Sequence, residues 1–170
     1  RTASTRTGGD PMFPRLITLL ALLLAAVPLS AASPWEMPQR EHQGAREITV
    51  YRSPACGCCK GWIDHLRAHG FEVTDVLRDD VGQTKAQLGL PGELASCHTA
   101  VVDGYVIEGH VPADDIKRLV AEKPPLAGLA VPGMPVGTPG MEMGERRDPF
   151  AVLGFDREGR VEPYRQYWKY

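Results

Sequence analysis

Residues 48–69 read Ile-Thr-Val-Tyr-Arg-Ser-Pro-Ala-Cys-Gly-Cys-Cys-Lys-Gly-Trp-Ile-Asp-His-Leu-Arg-Ala-His. Ile48 to Tyr51 is β-branched and aromatic, the signature of a strand. Lys60 to His69 places Trp62, Ile63 and Leu66 at helical spacing, and Gly70 supplies a stop. Cys56, Cys58 and Cys59 therefore fall on a strand-to-helix turn. The unpaired N–H groups and positive dipole end of a helix favour thiolate there, the form that attacks disulfides and binds soft metals. Cys56 and Cys59 make a C-x-x-C pair and Cys58 adds a third sulfur. Cysteines can also serve as small buried hydrophobes, but that role does not call for three within four positions.

Towards the N-terminus, Met12 is the first methionine, and Leu16 to Val27 is an almost wholly apolar run preceded by Arg15. The run is shorter than the ~20 apolar residues of a membrane span. Ser30-Ala31-Ala32 then offers small residues for signal-peptidase cleavage. The segment 12–32 reads as a signal peptide, and 33–46, polar and unpatterned, as a tail or linker leading into a domain over 47–168. Export to the periplasm follows, with no stable membrane insertion once the signal is removed. The whole chain carries 19 basic and 21 acidic residues, which excludes the basic footprint of a nucleic-acid binder. A chain of this size buries a core without staples. Its four cysteines are thus free for disulfide, redox or metal chemistry in an oxidising compartment.

Towards the C-terminus, Phe71 to Val76 reads as a strand and Gln83 to Leu88 as a short helix. Thr99 to Val102, Asp103-Gly104 and Tyr105 to Ile107 form a hairpin signal, because Asp-Gly suits the two-residue turn that matches strand twist. Pro112 opens a helix over Ala113 to Lys123, ended by Pro124-Pro125. From Leu126 the density of Gly and Pro predicts a long loop carrying Met134, Met141 and Met143. Phe150 to Phe155 and Val161 to Tyr167 close the chain as a hairpin. Strand, helix, strand, helix, hairpin, helix is the order of a thioredoxin-like α/β domain, a mixed sheet with flanking helices. In that resemblance the C-x-x-C opens the first helix, and the stretch entering the third strand faces it. Thioredoxins hold a cis-proline there; this chain has Ser96-Cys97-His98-Thr99.

Sulfur is what the sequence concentrates. Thiolate and thioether donors select Cu(I), with zinc and iron–sulfur clusters as competitors. Zinc sites commonly use two separated ligand pairs, and the spacing matches neither ferredoxin pattern. Three cysteines in four residues suit bridging thiolates shared among several copper ions.

Four motifs in order, Ser-Pro-Ala-Cys-Gly-Cys-Cys-Lys-Gly-Trp, Ser-Cys-His-Thr-Ala, Glu-Gly-His-Val-Pro-Ala and Val-Pro-Gly-Met-Pro-Val-Gly-Thr-Pro-Gly-Met-Glu, resemble the CopG-type family over residues 47–168. These are small exported thioredoxin-like metal-binding proteins associated with bacterial copper resistance. The resemblance implies copper held by Cys56, Cys58, Cys59 and Cys97, with His98 beside them. The expected cofactor is Cu(I), more than one ion, and the expected partners are copper ions and other periplasmic copper-handling proteins.

Several residues have a plainer reading beside the metal one. His98 is a ligand or a hydrogen-bonding neighbour of one, and Met134, Met141 and Met143 are loop packing or soft donors. His110 reads as structural or rim, His65 and His69 as a solvated helix face, His42 as an inert tail residue and Trp62 as core. The function expected is sequestration, transfer or redox buffering of copper. A thiol–disulfide oxidoreductase using Cys56 as nucleophile and Cys59 as resolving thiol is the rival. A copper oxidoreductase cycling Cu(I) and Cu(II) is a third reading.

Overall fold

Strand β1 (Glu47–Arg52) runs into the cysteine turn and helix α1 (Gly57–Ala68) runs out of it. The computed structural model describes residues 2–3, 33–36 and 38–170; the expected signal peptide lies outside the described residues. Helix α1 starts ahead of its apolar periodicity, so Cys58 and Cys59 belong to its first turn and Cys56 is the N-cap. Trp62, Ile63 and Leu66 are its buried stripe, as the spacing predicts, and Cys59 is buried with them. Strand β2 (Glu72–Leu77) returns parallel to β1, and α2 (Val81–Gln87) is capped by the Asp80 carboxylate, which accepts from the Gln83 N–H at 3.0 Å. A 3₁₀ turn (Gly92–Leu94) leads to β3 (His98–Val102) and β4 (Tyr105–Glu108). The turn between them has positive φ at both Asp103 (47°) and Gly104 (82°), as the Asp-Gly signal requires. Helix α3 (Ala113–Glu122) follows, then β5 (Gly128–Ala130), β6 (Phe150–Phe155) and β7 (Val161–Tyr167).

The strands form one mixed sheet in the order β2-β1-β3-β4-β5-β6-β7. Pairs β1/β2 and β4/β5 are parallel and the others antiparallel. This is the thioredoxin-like α/β arrangement expected from the order of elements, extended by the closing hairpin. One expectation fails. The Gly/Pro-rich stretch from Leu126 was expected to hold no strand, yet β5 lies between β4 and β6. Composition misses it because pairing on both sides, not propensity, makes a three-residue strand. Gly128 is what allows the approach: a Cβ there would meet the Val106 carbonyl and the Phe155 ring.

The main core packs Trp62, Ile63 and Leu66 of α1 and Ile116, Leu119 and Val120 of α3 against Ile48, Val50, Ala100, Ile107 and Leu129 of the sheet. A smaller cluster of Leu94, Val106, Ala130 and Phe155 covers the other face. Alternation along β3 and β4 therefore sends Thr99 and Glu108 to the α2 side and His98 to the α1 side. The segment 33–46, expected as a tail or linker, contains neither helix nor strand among its described residues but is held in place. Trp35 is buried and its indole donates to the Gly137 carbonyl at 2.7 Å. The Asp114 carboxylate accepts from the Gln39 and Arg40 N–H groups, and Lys117 Nζ donates to the Arg40 carbonyl.

Candidate metal centre

The end of β1 and the first turn of α1 deliver three sulfurs to one spot, and the step into β3 delivers the fourth. Ligand atoms of Cys56, Cys58, Cys59 and Cys97 all lie within 4.8 Å of one another. Cys56 and Cys59 are joined by a disulfide. Cys58 and Cys97 are free thiols. Cys58 Sγ sits 3.5 Å from Cys56 Sγ and 3.9 Å from Cys97 Sγ. The placement of Cys97 against the first-helix cysteines, expected from the thioredoxin-like order, is thus what the fold produces.

A second group overlaps the first at Cys97. Its Sγ lies 3.2 Å from His98 Nδ1 and 3.2 Å from His110 Nε2. Both rings are fully buried, and that of His98 lies 4.3 Å from the Trp62 ring. Nδ1 of His110 donates to the Pro139 carbonyl at 2.8 Å. Of the residues singled out from sequence, His98 therefore joins the cysteines, and His110, expected at the rim or in a structural role, joins them too. The hairpin register was the signal for it: pairing outward from Asp103-Gly104 reaches Thr99 opposite Glu108, and two steps further sets Cys97 opposite His110.

Burial governs the protonation of this group. It pushes the Cys97 thiol up to about 12, reinforced by the neighbouring Cys58. Burial also holds His98 well below its usual value, with His110 and Lys85 adding repulsion, and lowers His110. Both imidazoles are neutral and able to ligate. Behind them, Glu108 is fully buried and braces the corner. Its carboxylate accepts from the Ser96 N–H, the Thr99 hydroxyl and Lys85 Nζ, each at 2.5 Å. Ser96 and Thr99 bracket Cys97 and His98, so one carboxylate fixes both ends of the ligand-bearing step.

The methionine loop is tied down around this centre. Ser96 Oγ donates to the Gly133 carbonyl, and Gly140, at φ +80°, lies so close to α1 that a Cβ would collide with the Trp62 backbone nitrogen and come within 3.0 Å of the Cys58 carbonyl oxygen. Met141 is half-buried, whereas Met134 and Met143 are 55% and 65% exposed. The sheet thus brings together four cysteines and two histidines and leaves those two thioethers facing solvent.

His65 and His69 depart from the solvated face expected of them. His69 is buried, with Nδ1 donating to the His65 carbonyl at 2.8 Å. His65 Nε2 accepts from the Ala113 N–H at 3.0 Å, and the Trp35 ring packs edge-on at 6.4 Å. The return of Trp35 over α1 encloses that face, and nothing in the helix's own periodicity signals it. His42, expected to be inert, donates through Nε2 to the Ala45 carbonyl and packs on Phe71 at 4.5 Å.

Residues 94–141 match a family described as "Protein of unknown function, DUF411". No curated protein matches the chain. Two solved structures do. One, "Copper resistance protein copG- Form 2", is 50% identical, with a TM-score of 0.70 over 74% of this chain and 99% of that one. The other, "Copper resistance protein copG- Form 1", is 51% identical, with a TM-score of 0.69 over 72% of this chain and 98% of that one. Agreement of that degree, over almost the whole of both relatives, shows that the chain belongs to the CopG family of copper resistance proteins.

Proposed function

We propose that this protein is a periplasmic copper-binding protein that holds Cu(I) in a thiolate cluster of Cys56, Cys58, Cys59 and Cys97 and so sequesters copper or hands it on. The observation that carries the reading is the convergence of four sulfurs within 4.8 Å from two separate elements. Four soft donors at that spacing suit Cu(I) and allow sulfurs to bridge between ions, so more than one ion per chain is expected. His98 borders the cluster, and Met134, Met141 and Met143 lie on the loop around it, where thioethers can receive Cu(I) from solvent or release it to a periplasmic copper-handling partner. The apolar run 16–27 ahead of Ser30-Ala31-Ala32 supports export. Among the described residues no helix is long and apolar enough to cross a membrane.

Cys56 and Cys59 are oxidised here. Loading all four sulfurs therefore requires the pair to take up two electrons, which links copper capacity to the thiol redox state. Anaerobic titration of the reduced protein with Cu(I) against a competing chelator tests the reading. More than one Cu(I) per chain is expected; one or fewer, or preference for zinc at equal concentration, overturns the polynuclear cluster. The same disulfide favours a second reading, a thiol–disulfide oxidoreductase working through Cys56 and Cys59.

A further inference from the structure

We propose that the cavity between the segment around Trp35, the second half of α1 and the C-terminal residues binds a small organic carboxylate with an apolar body. The site is separate from the cysteine cluster, and the inference does not rest on the copper reading. The cavity has a volume of about 310 Å³, at the small end of the range for small-molecule sites. Among the described residues, Pro34, Trp35, Pro112, Tyr167 and Tyr170 supply its apolar wall, and His65 and His69 of α1 lie beside them. Arg165 and Lys169 reach it from the C-terminal segment, and Asp114 from the start of α3.

The walls are held by hydrogen bonds of their own. The Trp35 indole donates to the Gly137 carbonyl at 2.7 Å, the Tyr170 hydroxyl to the Asp148 carbonyl at 2.9 Å, and the Tyr167 hydroxyl to the Asp115 carboxylate at 2.6 Å. Asp114 accepts from the Gln39 and Arg40 N–H groups and lies 3.4 Å from Lys117 Nζ. The cavity is therefore preformed, and a ligand entering it has few side chains to order.

The same bonds decide which sign of charge the cavity favours. Its acceptors are already engaged: Asp114 by the two N–H groups and Lys117, Asp115 by Tyr167 and Arg165, and His65 Nε2 by the Ala113 N–H. His65 adds no charge, because burial holds it down to about 3. The donors are not exhausted. Arg165 gives Nη1 to Asp115 at 3.2 Å and is steadied over the Tyr167 ring at 4.9 Å, which leaves further N–H groups of its planar fork to bind. Lys169 has neither a hydrogen bond nor an ion pair among the described residues. Helix α3 starts at this cavity without a side-chain cap, so its positive end acts in the same sense. Two cations with spare donors beside an apolar wall select a ligand with a carboxylate at one end and an apolar body at the other.

The test uses isotope-labelled full-length protein, oxidised and with no added metal, titrated with phenylacetate. The readout is the set of indole N–H resonances of Trp35, Trp62 and Trp168. We expect the Trp35 resonance to shift and saturate. That of Trp62, whose indole donates to the Val111 carbonyl in the core, should stay in place. Phenylacetamide has the same shape without the charge and should bind at least about tenfold more weakly. Inorganic phosphate, a charge without the apolar body, should not compete at equal concentration. Lys169 is exposed, so Lys169→Gln keeps the fold and should weaken phenylacetate about two- to fivefold. No saturable shift at Trp35, equal binding of acid and amide, displacement by phosphate, or an unchanged affinity in Lys169→Gln overturns the proposal. No step of this test involves copper, so a failed Cu(I) titration would strike the cluster reading alone.

Discussion

The first turn of α1 offers sulfur alone, from neighbouring positions at the partly exposed end of a helix. The corner where β3 meets β4 offers one sulfur and two imidazoles, from residues 13 positions apart in the chain. On the α1 side only Cys59 is fully buried, and its chemistry changes with a single disulfide. On the strand side the rings are buried, the His110 tautomer is set by Pro139, and Glu108 holds the Ser96 N–H before the ligands and the Thr99 hydroxyl after them. The comparison separates two design problems: a helix terminus makes thiols reactive, whereas a braced hairpin makes a ligand geometry rigid. Cys97 belongs to both.

Cys97→Ser should have the largest effect, because serine is a hard, mostly protonated oxygen at neutral pH. Cu(I) stoichiometry of the reduced protein should fall, although Cys97 lies 39 residues beyond Cys58 in the chain. If Cu(I) stoichiometry and affinity survive the change, the two regions do not share a ligand.

Cys58→Ser should divide the two regions. It removes a sulfur from the α1 set but leaves the Cys56–Cys59 bridge and the Cys97–His98–His110 set intact. Cu(I) capacity should drop. An oxidoreductase needs only an attacking and a resolving thiol, so this variant also tests the rival. Vigorous insulin reduction that persists in the variant, with unchanged copper binding, would favour the enzyme.

The two regions also differ in how far the sequence revealed them. The helix-terminus cysteines were legible because strand, turn and helix are local signals, and the Asp-Gly turn fixed the hairpin for the same reason. The C-x-x-C spacing already marked Cys56 and Cys59 as the attacking and resolving thiols of the rival reading, and they are the two that the disulfide joins. His110 was readable in principle from the hairpin register, but its meaning depended on Cys97 lying one step beyond β3. Strand β5 and the burial of His69 were hidden because each depends on distant partners: β4 and β6 for the strand, and the returning segment around Trp35 for the face of α1.

Glu108→Ala should show how much rigidity the strand side draws from its brace. The substitution strands Lys85, whose side chain is 13% exposed, together with the Ser96 N–H and the Thr99 hydroxyl. Breaking a buried pair from one side costs about 3–5 kcal/mol, measurable by urea unfolding of the oxidised protein. Glu108→Gln retains an acceptor and should cost less. A loss under about 1 kcal/mol in the alanine variant would mean that the corner does not depend on this carboxylate.

The smallest effect expected is a pH dependence on the α1 side. His65 is held down to about 3, first by burial and then by repulsion from His69 and Lys117. Its Nε2 accepts the Ala113 N–H at the start of α3, a bond that only the neutral ring can make. In the unfolded chain the same group takes a proton near pH 6.5. Between these values the unfolded state binds more protons, so stability is full above about 6.5 and falls as the pH drops towards about 3. One proton sets a limit of about 1.4 kcal/mol per pH unit for the slope. His98 and His110 are shifted the same way, so wild type should lose stability in acid through both regions. His65→Gln supplies an acceptor for the Ala113 N–H that does not titrate, and should flatten only the α1 share. Denaturant midpoints measured from pH 7 to pH 4 would show a shallower decline in the variant. Identical slopes would mean that the acid sensitivity resides in the imidazoles of the strand side alone.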